Sequence, residues 1–167
     1  MTVALYGTIW IALALFVLAQ AGNHRLARHR PAAWAWPASI LGAVLATLHV
    51  LLALGVRYGW NHDAAVSGTA RQAAALYGFE WRGSIYVSYL FIVLWFAVAA
   101  RVRGKPTASP RGPSRLTWAW RIFSFLVIAN GAIVFARPSW RVLGVVIIGV
   151  LLWAWFPRTA RSRLASS

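Results

Sequence analysis

The sequence predicts an all-α integral membrane bundle of about five transmembrane helices, and three observations predict it. Long apolar stretches recur along the whole chain. Basic residues gather in alternate connections between those stretches. Tryptophans stand where apolar sequence gives way to polar. With 60% hydrophobic residues, only 11% charged ones and a mean hydropathy of +0.64, the chain is too apolar for a water-soluble domain. At 167 residues it fills one transmembrane domain and leaves nothing for a second.

The first apolar stretch, about residues 2–21, carries no charge, and Arg25, Arg28 and Arg30 follow it. Ala19-Gln20-Ala21 has the small-residue form of a signal-peptidase site. No Lys or Arg precedes the apolar run, however, so a retained helix is expected. The second span covers about residues 37–59 and the third about 85–100. Between the third and the fourth, a basic linker over 101–115 is broken by Pro106, Pro110 and Pro113. The fourth span is expected over 116–136, the fifth over 140–156, and a basic tail over 157–167. At ~1.5 Å per residue each can cross a hydrocarbon layer ~30 Å thick, the shorter ones with some thinning of the bilayer.

Orientation follows from charge. Arg25, Arg28, Arg30, Arg101, Arg103, Lys105, Arg111, Arg115, Arg121, Arg158, Arg161 and Arg163 fall on one side, twelve of the seventeen basic residues. Arg57, Arg71, Arg82, Arg137 and Arg141 fall on the other, together with the only two acids, Asp63 and Glu80. The positive-inside rule then sets the N-terminus outside and the tail in the cytoplasm of a bacterial inner membrane. An odd number of spans is required, and hydropathy supplies one. Because the basic residues sit at span ends, the net charge of +15 points to anionic lipid rather than to nucleic acid. Clusters expected to face lipid are Arg25, Arg28 and Arg30, then Arg101, Arg103 and Lys105, then Arg158, Arg161 and Arg163.

Indole rings prefer the headgroup boundary, because the N–H needs a polar partner and the ring does not. Trp34, Trp36, Trp60, Trp81, Trp118, Trp120, Trp140, Trp153 and Trp155 all stand at expected boundaries. Trp10 and Trp95 stand mid-span, where lipid or helix packing is the expected environment.

Candidate chemistry is sparse. The chain has no Cys and one Met, so thiolate metal sites, Fe–S clusters and cysteine nucleophiles are excluded. His49 lies deep in the second span, on a face with Gly42, Ala46 and Ala53. Small residues there admit another helix, so His49 is expected to face the bundle interior. An imidazole so placed suits haem iron, a chlorin, a quinone oxygen or a proton relay. It equally suits a hydrogen bond to a helix carbonyl or to Asn130. Asn130 in the fourth span is expected to bond across helices, with ligand contact as the alternative.

The connection over 60–84 is the second candidate. Asn61 or Asp63 can cap a short helix through Ala64 to Tyr77, with Gly78 stopping it and Val66, Ala70, Ala73 and Tyr77 on one face. His62, Asp63 and Glu80 are weak candidates for Zn²⁺ or for acid–base chemistry, at a spacing that matches no metal motif. The acids are expected to neutralise Arg71 and Arg82 locally. His24 and His29 are expected to be solvated within the first Arg cluster. The pattern Trp60-x-His62-x-Ala64, Thr69-Ala70-Arg71-Gln72, Gly78-x-x-Trp81-x-Gly83-x-x-Tyr86 resembles a set of uncharacterised bacterial multi-pass membrane proteins. That resemblance covers this connection and the start of the third span, and it implies no activity.

The function these features predict is a non-catalytic accessory, structural or assembly subunit of a larger membrane complex, such as a respiratory or photosynthetic one. Its partners would be other membrane subunits and anionic lipid. The alternatives are a redox protein holding haem, chlorin or quinone at His49, and a small transporter or outer-face enzyme using His62, Asp63 and Glu80. No inverted repeat supports transport, and no nucleophile–base pairing supports an enzyme.

Overall fold

Uncharged apolar runs of this length fold as helices in lipid, because only a helix satisfies its own backbone groups there. The computed structural model describes residues 2–25, 31–103, 114–136 and 138–156. Among these the fold is all-helical, and five helices are long and apolar enough to cross a membrane. The helices are α1 (Thr2–Gln20), α2 (Ala35–Tyr58), α3 (His62–Tyr77), α4 (Ser84–Val102), α5 (Arg115–Ala129) and α6 (Pro138–Trp155). Two of them run on into wider, π-helical turns: α1 into Ala21–Arg25 and α5 into Asn130–Val134. Residues 104–113 of the basic linker and the tail, with Lys105, Arg111, Arg158, Arg161 and Arg163, lie outside the described residues, as do Arg28, His29, Arg30 and Arg137. Only the backbone of Arg25 is described.

Helix ends follow local chemistry. Ser114 accepts a hydrogen bond from the Thr117 amide at 3.2 Å, so α5 starts at Arg115. Pro138 opens α6 at the first helical position, where its missing N–H costs nothing. The boundaries otherwise fall within two residues of the expected ones, except where the π turns extend α1 and shorten the α5 ladder.

Round the bundle the spans neighbour one another in the order α1, α2, α4, α5, α6 and back to α1. The α1 span is 44% buried against 17% to 28% for the other four, because α1 packs along the small-residue face of α2. Gly42, Ala43 and Ala46 form that face, with Ala12 opposite. Close packing of small residues is the main source of helix affinity in lipid, where burial from water contributes nothing. The central cluster is aromatic. Phe16 of α1 meets Trp95 edge-on at 4.8 Å and Phe91 at 6.0 Å, and Phe91 stacks on Trp120 at 5.7 Å. Trp10 stacks on Trp140 at 5.7 Å, which ties α1 to α6.

The segment after α2 reverses within two residues. Gly59 takes φ 56° and Trp60 φ 65°, and their amides close on Gly55 O and Leu54 O at 3.1 and 3.0 Å. A positive φ is unusual for so bulky a residue. The Trp60 ring lies against Gly55, where any Cβ would stand 2.8 Å from it. The expected short helix then forms as α3. Its N-cap is Asn61, whose side chain accepts from the Ala64 amide at 2.9 Å, and Gly78 ends it at φ 79°. Ala65, Val66, Ala70 and Ala73 are buried, so α3 lies across one end of the bundle against α2 and α4. Replacing Asn61 with Ala should destabilise α3 by ~1 kcal/mol. Hydrogen exchange at the Ala64 amide should quicken while exchange in α1 and α2 stays unchanged.

Candidate functional site

His49 sits half-buried on α2, and its Nδ1 donates to the carbonyl of Leu5 in α1 at 2.8 Å. The Thr8 hydroxyl, itself bonded to the same carbonyl at 3.0 Å, lies 3.5 Å from the ring nitrogen. His49 thus fastens α1 to α2, as the helix-carbonyl alternative expects. Its hydrogen-bond partner is therefore the Leu5 carbonyl and not Asn130.

Asn130 begins the π turn that ends α5. Its Oδ1 accepts the Tyr77 hydroxyl hydrogen bond, and its carbonyl accepts from the Phe135 amide at 2.9 Å. The partner is therefore the last residue of α3 rather than another span. Tyr77 is exposed at the end of the apolar face of α3, where its ring also meets Phe79 and Phe135.

His62, Asp63 and Glu80 do not come together. Among the described residues no group of three His, Cys, Asp or Glu side chains is placed to hold a metal ion. His62 instead meets two tyrosines of α4: Nε2 lies 3.3 Å from the Tyr86 hydroxyl and Nδ1 3.5 Å from that of Tyr89. The sequence reading quoted Tyr86 only within the resemblance and paired neither tyrosine with His62, although their spacing of three residues places them on one face of α4. Neither acid forms an ion pair with Arg71 or Arg82 among the described residues. Asp63 occupies the first turn of α3 instead, where the helix dipole favours a negative charge.

The opposite end of the bundle holds the described cavity, a cleft of about 310 Å³ among α1, α2, α4 and α5. Its wall includes Gln20, Asn23, Trp36, Trp95, Arg103 and Trp120. Neighbouring bonds fix this wall. The Trp95 indole donates to Ser39 Oγ at 3.0 Å, and the Trp155 indole donates to Gln20 Oε1 at 3.1 Å. The Arg103 guanidinium lies over the Trp36 ring, 4.5 Å from its centre. No acceptor in the described structure reaches the indole N–H of Trp36 or of Trp120.

Three expectations change here. Trp120 and Trp155 are each only 9% exposed and pack into the central cluster rather than facing outward. His24 is half-buried in the π turn after α1 rather than fully solvated. Arg121, counted among the charges of the arginine-rich side, is 8% exposed. Its guanidinium rests over Trp118 at 5.5 Å and Trp155 at 5.8 Å, and its Nε meets no acceptor. A sequence clue to this existed: Trp118, Trp120 and Arg121 open an apolar run with no acid anywhere near. Arg101 and Arg103 are exposed. The exposed Arg57 lies over the Tyr58 ring at 5.7 Å.

Fold and site together define an all-helical, multi-pass membrane protein with a polar-edged aromatic cleft at one end and a crosswise helix at the other. Beyond that class the comparisons add nothing: no family model, curated protein or solved structure matches the chain.

Proposed function

We propose that this chain is a non-catalytic accessory subunit of a larger assembly in a bacterial inner membrane. Its N-terminus and α3 face outward and its tail faces the cytoplasm. The observation that carries the reading is the employment of its intramembrane polar groups. His49 holds Leu5, Asn130 holds Tyr77, Ser39 holds Trp95 and Gln20 holds Trp155. Each of these bonds joins one helix to another, and none pairs a nucleophile with a base. Such groups serve architecture. Meanwhile α6 turns Val142, Val145 and Val146 outward, a β-branched surface with little relief that suits a neighbouring helix. The orientation rests on charge: both acids lie at the α3 end, and most arginines lie at the other.

Purification in a mild detergent should yield the chain within a particle several times its own mass of 18.4 kDa. A uniform particle of protomer mass would remove the reading. Because the chain has no native Cys, single cysteines at Ala75 and Ala165 report orientation separately. A membrane-impermeant maleimide should label position 75 in intact cells and position 165 only after lysis. Labelling of both from the same side would reverse or abolish the topology.

A further inference from the structure

The last turn of α3 runs past the protein beneath it. Ala65, Val66, Ala70 and Ala73 are buried, and Leu76 and Tyr77 stand three and four residues after Ala73, on the same face. Both are nevertheless 45% exposed. The chain then leaves the helix at Gly78 and exposes Phe79 and Trp81 before α4 begins at Ser84. The Phe79 ring lies 6.2 Å from that of Tyr77, so the exposed apolar surface continues from the helix into the connection. The direction of this surface follows from what carries the rest of α3. Ala65 and Val66 rest on Leu54 and Tyr58 of α2 and on Ile85 and Tyr89 of α4, residues at the ends of two membrane-spanning helices. The face of α3 that looks toward those ends therefore looks toward the bilayer. Depth agrees. The Tyr77 hydroxyl donates to Asn130, four residues inside the end of the α5 span at Val134, or about 6 Å along the helix. The overhang is level with the span ends and not clear of them.

We propose that this overhang is a membrane-seated element, with Leu76, Tyr77, Phe79 and Trp81 resting in the bilayer where headgroups meet acyl chains. The chemistry of each suits that layer. Leu76 and Phe79 are wholly apolar and take the deeper positions. Tyr77 and Trp81 join an apolar ring to one polar group, the combination that settles at the boundary. Glu80 and Arg82, exposed beside these rings, hold the connection at the polar edge, since a charge does not follow them into hydrocarbon. Arg71 and Ala75 are exposed on the opposite face of α3 and meet water. Interfacial helices bury their apolar face ~5–10 Å into this zone, a range that includes the depth of Asn130. Over most of its length α3 thus stands on protein, and at its last turn it stands on lipid. The seat rests on the transmembrane reading of the fold alone. Neither the accessory role nor the inside–outside orientation enters, because the leaflet at the α3 end serves in either case.

The test uses the full-length chain extracted with its surrounding bilayer in polymer-bounded nanodiscs, so that lipid and any partner stay in place. Because the chain has no Cys, Leu76→Cys, Phe79→Cys, Ala75→Cys and Val93→Cys each take a single nitroxide label. All four positions are exposed, so the label displaces no packing. Collision of the label with oxygen, which dissolves in lipid, is compared with its collision with a water-soluble nickel chelate. Val93, midway along α4, marks full lipid contact, and Ala75 marks water. Oxygen should dominate at positions 76 and 79, by less than at 93, and the order should reverse at 75. Dominance of the chelate at 76 and 79 would leave the overhang in water and overturn the proposal. An immobilised label that meets neither reagent there would put a partner protein or a second copy on the overhang, and would overturn it as well. Failure of the transmembrane reading is told apart at position 93, where the chelate would then dominate too.

Discussion

Gly144→Ala should be the most damaging single-methyl change in this protein. Gly144 faces the π turn after α5, and a Cβ added there would stand 2.1 Å from the carbonyl oxygen of Ala132 and 2.8 Å from its carbonyl carbon. Both obstacles are backbone, so no rotamer change relieves the clash. Either α6 withdraws from α5 or the π turn must rewind into the α-helical register. The first loses close packing, which is most of what holds helices together in lipid. The second moves Asn130 and so disturbs its bond to Tyr77 of α3. Overpacking of a tight contact costs ~1–3 kcal/mol, and the immovable backbone places this case at or beyond the upper end. The thermal midpoint in detergent should fall well below that of wild type. Gly149→Ala, on the same helix with open space around it, should leave the midpoint unchanged. Equal behaviour of the two variants would show that α6 does not dock on that turn.

The number and position of the spans were legible because they depend on properties summed over many residues. Hydropathy over 20 positions and charge at helix ends survive any detail of packing. The short helix α3 was legible for a local reason: Asn61 and Gly78 are strong start and stop signals whatever surrounds them. Packing partners were not legible. That Trp95 faces Ser39 across two helices, or that Trp155 finds Gln20, depends on helix rotation, which no single-helix pattern determines when apolar residues cover every side. Arg121 misled for the same reason. One turn and a half into α5, its long side chain can reach water or fold against the bundle, and only the positions of Trp118 and Trp155 decide between them. The π turns were also invisible, since a single inserted residue leaves hydropathy untouched while it shifts the face that follows.

Trp95→Ala should open the largest void of any side-chain truncation in the bundle. Trp95 is 1% exposed and the largest of the fully buried side chains. Its ring presses on Gly42 so closely that a Cβ there would come within 2.8 Å, and it meets Phe16 and Phe91 on other sides. Aromatic truncation in a packed interior costs ~3–5 kcal/mol, part of which reflects transfer from water. In lipid that part is missing, which leaves a loss of about 2–3 kcal/mol from forfeited contacts and the cavity. Trp95→Phe separates packing from polarity. It keeps most of the volume but removes the donor to Ser39, so it should cost about 1 kcal/mol, the net worth of one hydrogen bond. Adding Ser39→Ala to Trp95→Phe should return part of that loss, because the hydroxyl would no longer lack its indole partner. Thermal unfolding of the three variants in one detergent checks the order. If Trp95→Ala proved no worse than Trp95→Phe, the aromatic cluster would be incidental, and the small-residue contact of α1 with α2 would alone hold the bundle.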